Sequence, residues 1–255
     1  MLLKNKNLYL IYLIASLIMA FLTFLVSASF DLVTEEPTAW TYPAVLLLLI
    51  FLPAYNGGIM SVTISAHYNN EASMRTFYEG MLANYWKVIR LGLCILLLSI
   101  LSGLVITLVI VLLFIFPPLG ILASILFTIG WSALLIYVSF QSSILVVKDG
   151  MKSWESIKHS LMMLKKAFKK ILLSILVVIG AYAALYIVAW LVESLLYFVI
   201  SLFAQPDTNL TILYLLIIVF VAITLFPSLF ALSVYVNRYK NKIEPEFHPS
   251  DQETV

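Results

Sequence analysis

Six long apolar segments, none containing lysine or arginine, constrain this chain more than any other feature of its sequence. A helix needs roughly 20 apolar residues to cross the hydrocarbon core of a bilayer. Only 11% of the 255 residues are charged, whereas a soluble domain has about 25%, so this much apolar surface cannot be buried inside a water-soluble globule. We therefore predict an all-α polytopic membrane protein with one transmembrane domain over residues 1–240 and a short, disordered cytoplasmic tail over 241–255. The predicted spans cover residues 8–30, 42–66, 91–116, 119–147, 171–203 and 210–236.

The basic residues predict the orientation of these spans. Two precede the first span, three lie between the second and third, seven between the fourth and fifth, and three follow the sixth, which accounts for all 15. With six spans, these four regions share one side of the membrane. The opposite side has four acidic residues and no basic residue, and these are Asp31, Glu35, Glu36 and Asp207. The positive-inside rule then predicts a plasma-membrane protein with cytoplasmic N- and C-termini.

The first span also has some features of a signal peptide. Lys4 and Lys6 precede it, and small residues at Ser27-Ala28-Ser29 lie near its end. Its apolar stretch is longer than the 7–15 residues of a signal-peptide core. We therefore expect an uncleaved membrane anchor.

Two segments, 73–90 and 153–170, resemble each other at an offset of 80 residues. Ser73 and Ser153 stand where a helix N-cap is expected. Apolar residues then recur at helical spacing in the second segment, and the first segment has a similar stripe that Asn84 interrupts. We predict two amphipathic cytoplasmic elbow helices leading into spans three and five, and a parallel internal repeat of spans two–three and four–five. The second stripe consists of Trp154, Ile157, Leu161, Leu164, Phe168 and Ile171, and the first of Met74, Phe77, Met81 and Val88.

The lysines of the second elbow are candidate contacts for a lipid or a partner membrane protein. Lysines on an amphipathic helix can extend to lipid headgroups while the apolar stripe lies at the membrane boundary, and a lysine cluster favours anionic lipid. The alternative is that both elbows simply anchor the spans that follow them. The candidate contacts are Lys158, Lys165, Lys166, Lys169 and Lys170.

Span two contains Pro53 and the sequence Asn56-Gly57-Gly58, which are candidates for a transport site or for helix packing. Proline removes a backbone hydrogen bond, and broken helices form substrate sites in some transporters. The same small residues also let neighbouring helices approach closely. Both interpretations remain open from the sequence, whereas Gln141 and Pro227 are interpreted as packing residues.

Glu193 is the only charged residue within a predicted span. It lies roughly 33 Å along the helix from Ile171, which reaches the outer boundary of a hydrocarbon core about 30 Å thick. Glu193 is therefore either hydrated at a helix end or, if the helix is tilted, buried in a cavity. On the same side, the turn at Pro117-Pro118 lacks charge and predicts either an exposed apolar ridge or a tilted helix pair.

No catalytic or cofactor motif accompanies these spans. The sequence has no His-Glu-x-x-His, no Gly-x-Ser-x-Gly and no phosphate-binding glycine loop. The single cysteine, Cys94, excludes an intramolecular disulfide and a cysteine-only metal site. His67, His159 and His248 lie at or near the cytoplasmic boundary. We expect no enzyme activity, no cofactor, no metal and no nucleic-acid partner.

The repeat resembles segments of poorly characterised bacterial six-span membrane proteins, which are similar to the membrane domain of some glycerophosphodiester phosphodiesterases. The residues that carry the resemblance are Gly57-Gly-Ile-Met-Ser-Val62, Phe77-Tyr-Glu-Gly80, Tyr85-Trp-Lys-Val-Ile-Arg-Leu-Gly-Leu93 and Ile144-Leu-Val-Val-Lys-Asp-Gly150, together with Ser153-Trp-Glu-Ser-Ile-Lys-His-Ser-Leu161. It covers spans two to five. It implies a helical membrane module without the soluble catalytic domain of those enzymes, and it transfers no site residues.

These observations predict a non-enzymatic accessory module of the cell envelope that binds lipid or a partner protein. The alternative is a small transporter or permease subunit with a site at a broken second span.

Overall fold

The computed structural model describes residues 6–27, 29, 38–115, 117–203 and 210–247, and these residues form α-helices without any strand. Seven α-helices are found in these ranges, followed by a π-helical turn (Tyr239–Ile243) and a 3-10 turn (Glu244–Glu246). The α-helices are α1 (Lys6–Ser27), α2 (Thr41–Tyr68), α3 (Met74–Leu113), α4 (Pro117–Lys148), α5 (Ser153–Lys166), α6 (Phe168–Phe203) and α7 (Leu210–Arg238). The all-α prediction is confirmed.

Five of the described helices are long and apolar enough to cross a membrane, which indicates a membrane protein. These are α1, α2, α3, α4 from Gly120 onward, and α6 as far as Val192. The sixth predicted span, 210–236, lies within α7, where the side chains of residues 210–217 are outside the described set. The count of five therefore refers to the described residues alone.

Helix α3 shows how a single helix combines a polar part with an apolar part. Its 40 residues extend over about 60 Å, roughly twice the hydrocarbon thickness. All of its charged residues precede Leu91. Beyond that point large aliphatic side chains such as Leu101 and Leu104 are more than 60% exposed. Apolar exposure on this scale is stable only in contact with lipid or another protein.

The described helices divide into two compact units, and the chain passes from one to the other inside α3 and again at the start of α6. The first unit comprises Met1–Ala83 and Lys169–Val255, and here α1 packs against α2 and α7 while α2 packs against α7. The second unit comprises Asn84–Phe168, and here α4 packs against α5.

The same backbone turn follows α2 and α4. Asn70 has φ of 57° and Gly150 has φ of 66°, at positions 80 residues apart. In the first turn, the amides flanking Asn70 donate to the Ser65 carbonyl at 2.9 and 3.4 Å. In the second, the amides flanking Gly150 donate to the Leu145 carbonyl at 3.1 and 3.3 Å. A left-handed residue of this kind ends a helix by satisfying its last carbonyl groups, and glycine or asparagine adopts it most readily.

The helices after these turns differ in two respects. Ser73 caps α3, since its Oγ accepts a hydrogen bond from the Thr76 amide at 3.1 Å, as predicted. The cap predicted at Ser153 is wrong, because Lys152 is the N-cap residue and Ser153 is the first residue of α5. In addition, α3 continues from Met74 into its apolar part without a break, whereas Ala167 separates α5 from α6.

The chain remains folded beyond residue 240, within the range 241–255 for which the sequence predicts a disordered tail. The π-helical and 3-10 turns continue the structure to Glu246, and Tyr239 and Ile243 are fully buried. Residues 248–255 lie outside the described part of the chain, and His248 is among them.

Candidate functional site

The inner face of α5 is fixed to α4 by buried hydrogen bonds. The Tyr137 hydroxyl donates to the Ser160 carbonyl at 3.0 Å. Ser160 Oγ donates to the Ser156 carbonyl at 2.7 Å and accepts from Ser142 Oγ at 3.0 Å. Gln141 Nε2 lies 3.3 Å from the sulfur of Met163. Because buried polar groups that pair with one another specify a unique packing, α5 has a defined orientation on α4.

The outer face of α5 combines exposed apolar and basic side chains. Trp154 is 52% exposed and Leu161 is 40% exposed. Lys158, Lys165 and Lys166 are exposed as well, and Lys158 Nζ lies 5.8 Å from the centroid of the Trp154 ring. This composition suits the boundary between lipid tails and headgroups, where the ring and the lysine stems lie in the apolar layer and the ammonium groups reach the headgroups.

The predicted apolar stripe is therefore divided between two environments. Ile157 and Ile171 are buried and Leu164 is half-buried, whereas Trp154 and Phe168 are exposed, like Leu161. One edge of the stripe is packed inside the protein, and the other edge is exposed.

The remaining two candidate lysines, Lys169 and Lys170, belong to the first turn of α6 and are exposed. Lys170 Nζ forms an ion pair with the Glu246 carboxylate. Ser174 Oγ donates to the Lys170 carbonyl at 2.7 Å and accepts from Arg238 Nε at 3.2 Å. The C-terminal segment thus contacts the start of α6.

The C-terminal segment also contacts the end of α2 through a polar cluster that sequence reasoning missed. Ser233 Oγ lies 2.9 Å from His67 Nε2. Lys240 Nζ donates to the His67 carbonyl at 2.5 Å and lies 5.0 Å from the centroid of the Tyr68 ring. The Tyr68 hydroxyl donates to Glu244 at 2.5 Å. The available signal was a charged residue at every second position after Arg238, first basic at Lys240 and Lys242 and then acidic at Glu244 and Glu246.

A buried hydroxyl pair joins α1 to α2 in the same unit. The Tyr12 hydroxyl donates to Thr63 Oγ1 at 2.7 Å, and Thr63 in turn donates to the Ile59 carbonyl at 2.6 Å. Tyr12 and Thr63 are completely buried. Their polar atoms are satisfied inside the helix bundle, as stability requires.

Gly57 and Gly58 lie where α2 meets the start of α3. A Cβ atom at Gly58 would lie 2.7 Å from Met81 Cγ and 2.8 Å from both Phe77 Cε2 and the Phe77 carbonyl oxygen. A Cβ at Gly80 would lie 2.4 Å from Ser61 Cβ and 3.2 Å from the Gly57 carbonyl oxygen. The glycines permit this close approach, and α2 remains helical from Thr41 to Tyr68 through Pro53.

The other two residues proposed for transport are Asn56 and Glu193. Asn56 is exposed. Glu193 lies in α6, but its side chain is outside the described residues. Pro117 and Pro118 are exposed in the first turn of α4, a position where a helix accommodates proline because its amides have no intrahelical partner.

Within the described ranges, no three His, Cys, Asp or Glu side chains are grouped closely enough to hold a metal ion. Cys94 is a free, half-buried thiol. No protein-family model, curated protein or solved structure matches this chain.

Proposed function

We propose that this chain is a non-enzymatic, six-span protein of the plasma membrane that binds anionic lipid through α5, with both termini in the cytoplasm. The observation that carries the proposal is the pair of faces on α5. One face is hydrogen-bonded to α4, and the other presents Trp154 and Leu161 beside three exposed lysines. An exposed tryptophan beside a lysine cluster is typical of a helix that lies at the boundary between lipid tails and headgroups.

The charge on α5 sets the expected size of the preference for anionic lipid. A basic residue near an anionic membrane surface contributes about 1 kcal/mol, so three lysines contribute at most about 3 kcal/mol of preference for anionic over zwitterionic lipid. Glu155 on the same helix reduces this value, as does salt. We expect a preference of roughly 10- to 100-fold in dilute buffer, which corresponds to about 1.4–2.8 kcal/mol.

The six-span topology belongs to the same proposal. The basic residues all fall in connections that six spans place on one side. The matching turns at Asn70 and Gly150 support the internal repeat.

The test is a lipid titration of the full chain by native mass spectrometry, with phosphatidylglycerol and phosphatidylcholine as probes. The test variant is Lys158→Gln/Lys165→Gln/Lys166→Gln. The control variant, Arg75→Gln/Lys87→Gln/Arg90→Gln, removes the same number of charges from α3. We expect the α5 variant to lose most of the preference for phosphatidylglycerol and the α3 variant to keep it. Equal losses would show that net charge alone determines binding, and an unchanged α5 variant would contradict the proposal.

A further inference from the structure

Ser16 on α1 carries a hydroxyl group that is completely buried and has no hydrogen-bond partner among the described residues. The other serine and threonine side chains of α1 pair with the backbone of their own helix, as such residues commonly do. Thr23 Oγ1 donates to the Met19 carbonyl at 2.9 Å, and Ser27 Oγ donates to the Thr23 carbonyl at 3.2 Å. The Ser16 hydroxyl does not bond to the backbone in this way, so its donor is left for another group.

The Tyr55 hydroxyl on α2 faces Ser16, since the two side chains interact. Tyr55 is 6% exposed, and α1 and α2 pack against each other in the same compact unit. No direct hydrogen bond reaches Ser16 Oγ within the described part of the chain. Two buried polar groups that approach each other without a direct hydrogen bond are often joined by a water molecule.

A series of polar side chains leads from this pair to the end of α2. Tyr12 lies one turn before Ser16 and is hydrogen-bonded to Thr63 at 2.7 Å. The Tyr12 hydroxyl also interacts with Ser233, whose Oγ lies 2.9 Å from His67 Nε2. Ser16 itself lies about 15 Å along α1 from the first residue of that helix, which is half of a hydrocarbon core about 30 Å thick. The pair therefore lies at the inner end of this polar series, near the middle of the membrane.

An unpaired hydroxyl group at this depth is unfavourable, because a buried donor without a partner costs about 1–3 kcal/mol and lipid tails offer no acceptor. Buried water molecules are found where polar groups lack other partners, and they bind to at least two such groups. The hydroxyl groups of Ser16 and Tyr55 supply these two partners. We infer that Ser16 and Tyr55 form a binding site for a water molecule between α1 and α2, near the middle of the membrane. The site does not involve α5, so the inference is independent of the proposed function.

The test is hydroxyl-radical footprinting of the full chain in lipid-polymer discs, with oxidised residues identified by mass spectrometry. A radiation pulse converts a bound water molecule into a hydroxyl radical, which oxidises the side chains that it contacts. Tyr137 is the internal control, because it is a buried tyrosine that donates directly to a carbonyl group. We expect Tyr55 to be oxidised more than Tyr137 in the unsubstituted chain, and Ser16→Ala to abolish this excess. The control variant Thr23→Val removes a hydroxyl group from the same helix and should leave the excess unchanged.

Thermal unfolding of the same variant gives a second outcome, because the two states of the Ser16 hydroxyl predict opposite changes in Tm. If the hydroxyl group is unpaired, Ser16→Ala removes an unfavourable buried donor and raises Tm. If the hydroxyl group binds water, Ser16→Ala removes a partner from the water molecule and lowers Tm. We expect the lower Tm. The inference is overturned by a higher Tm, by oxidation of Tyr55 no greater than that of Tyr137, or by an excess that persists in Ser16→Ala.

Discussion

The close contact between α2 and the start of α3 predicts opposite effects for two glycine-to-alanine substitutions. At Gly80, an added methyl group would lie 2.4 Å from Ser61 Cβ and Oγ. One of these two contacts is with a β-carbon, which cannot rotate away as the hydroxyl can, so the helices must separate. At Gly180, in α6 of the same unit, an added methyl group meets nothing within 4 Å.

The expected difference in Tm between the two variants follows from two contributions to the free energy of unfolding. Alanine favours a helix over glycine by about 1 kcal/mol, and this gain is common to both substitutions. Overpacking costs about 1–3 kcal/mol and affects only Gly80→Ala. The difference between the two variants therefore isolates the overpacking cost. Since 1 kcal/mol shifts Tm by roughly 2–4 °C in a chain of this size, Gly80→Ala should melt about 2–12 °C below Gly180→Ala.

The assay is thermal unfolding in detergent with a thiol-reactive fluorophore. Cys94 is the only cysteine and is half-buried, so it reports unfolding in both variants. Gly58→Ala should behave like Gly80→Ala, because its methyl group would lie 2.8 Å from a backbone oxygen. Equal Tm values for Gly80→Ala and Gly180→Ala would refute the close approach of α2 and α3.

Three further substitutions test the contacts around α5 and the C-terminal segment. Tyr137→Phe removes the buried donor to the Ser160 carbonyl and should lower the free energy of unfolding by about 0.5–1.5 kcal/mol, measured as a fall in Tm. An unchanged Tm would mean that this hydrogen bond does not hold α5. Tyr68→Phe removes the hydrogen bond to Glu244 and should increase amide hydrogen exchange over residues 239–247. Unchanged protection of these amides would show that other contacts hold the segment. Trp154→Ala removes a half-exposed ring that the proposed function places against lipid. The loss of apolar contact area should weaken phosphatidylglycerol binding in the lipid titration about two- to fivefold, or about 0.5–1 kcal/mol. Binding equal to that of the unsubstituted chain would exclude the ring from the lipid contact.

The helices themselves could be predicted because bilayer thickness imposes a length on every apolar segment. The left-handed turns at Asn70 and Gly150 agree with the offset of 80 residues found in the sequence. The cap at Ser73 was predictable from local chemistry, whereas Ser153 lies one position inside its helix. Local sequence alone does not distinguish these two serines, since each precedes an apolar helical stripe.

The polar contacts could not be predicted, because they depend on residues distant in sequence. Periodicity placed Ile157 and Leu161 on one stripe, but the hydroxyl groups of α4 determine which edge of that stripe is buried. The ion pair of Lys170 with Glu246 requires the chain to fold back after α7. Sequence reasoning treated Lys170 as one of five equivalent lysines, and the structure distinguishes it by its partner.

The most direct test of the central claim is the lipid composition around the protein after extraction from native membranes in lipid-polymer discs. Mass spectrometry of lipids and proteins from the same discs compares the unsubstituted chain with the variant Lys158→Gln/Lys165→Gln/Lys166→Gln. Binding of anionic lipid by α5 predicts enrichment of anionic lipid over the bulk membrane for the unsubstituted chain and loss of that enrichment in the variant. A lipid composition equal to the bulk in both proteins, especially with a stoichiometric protein partner retained by both, would contradict it.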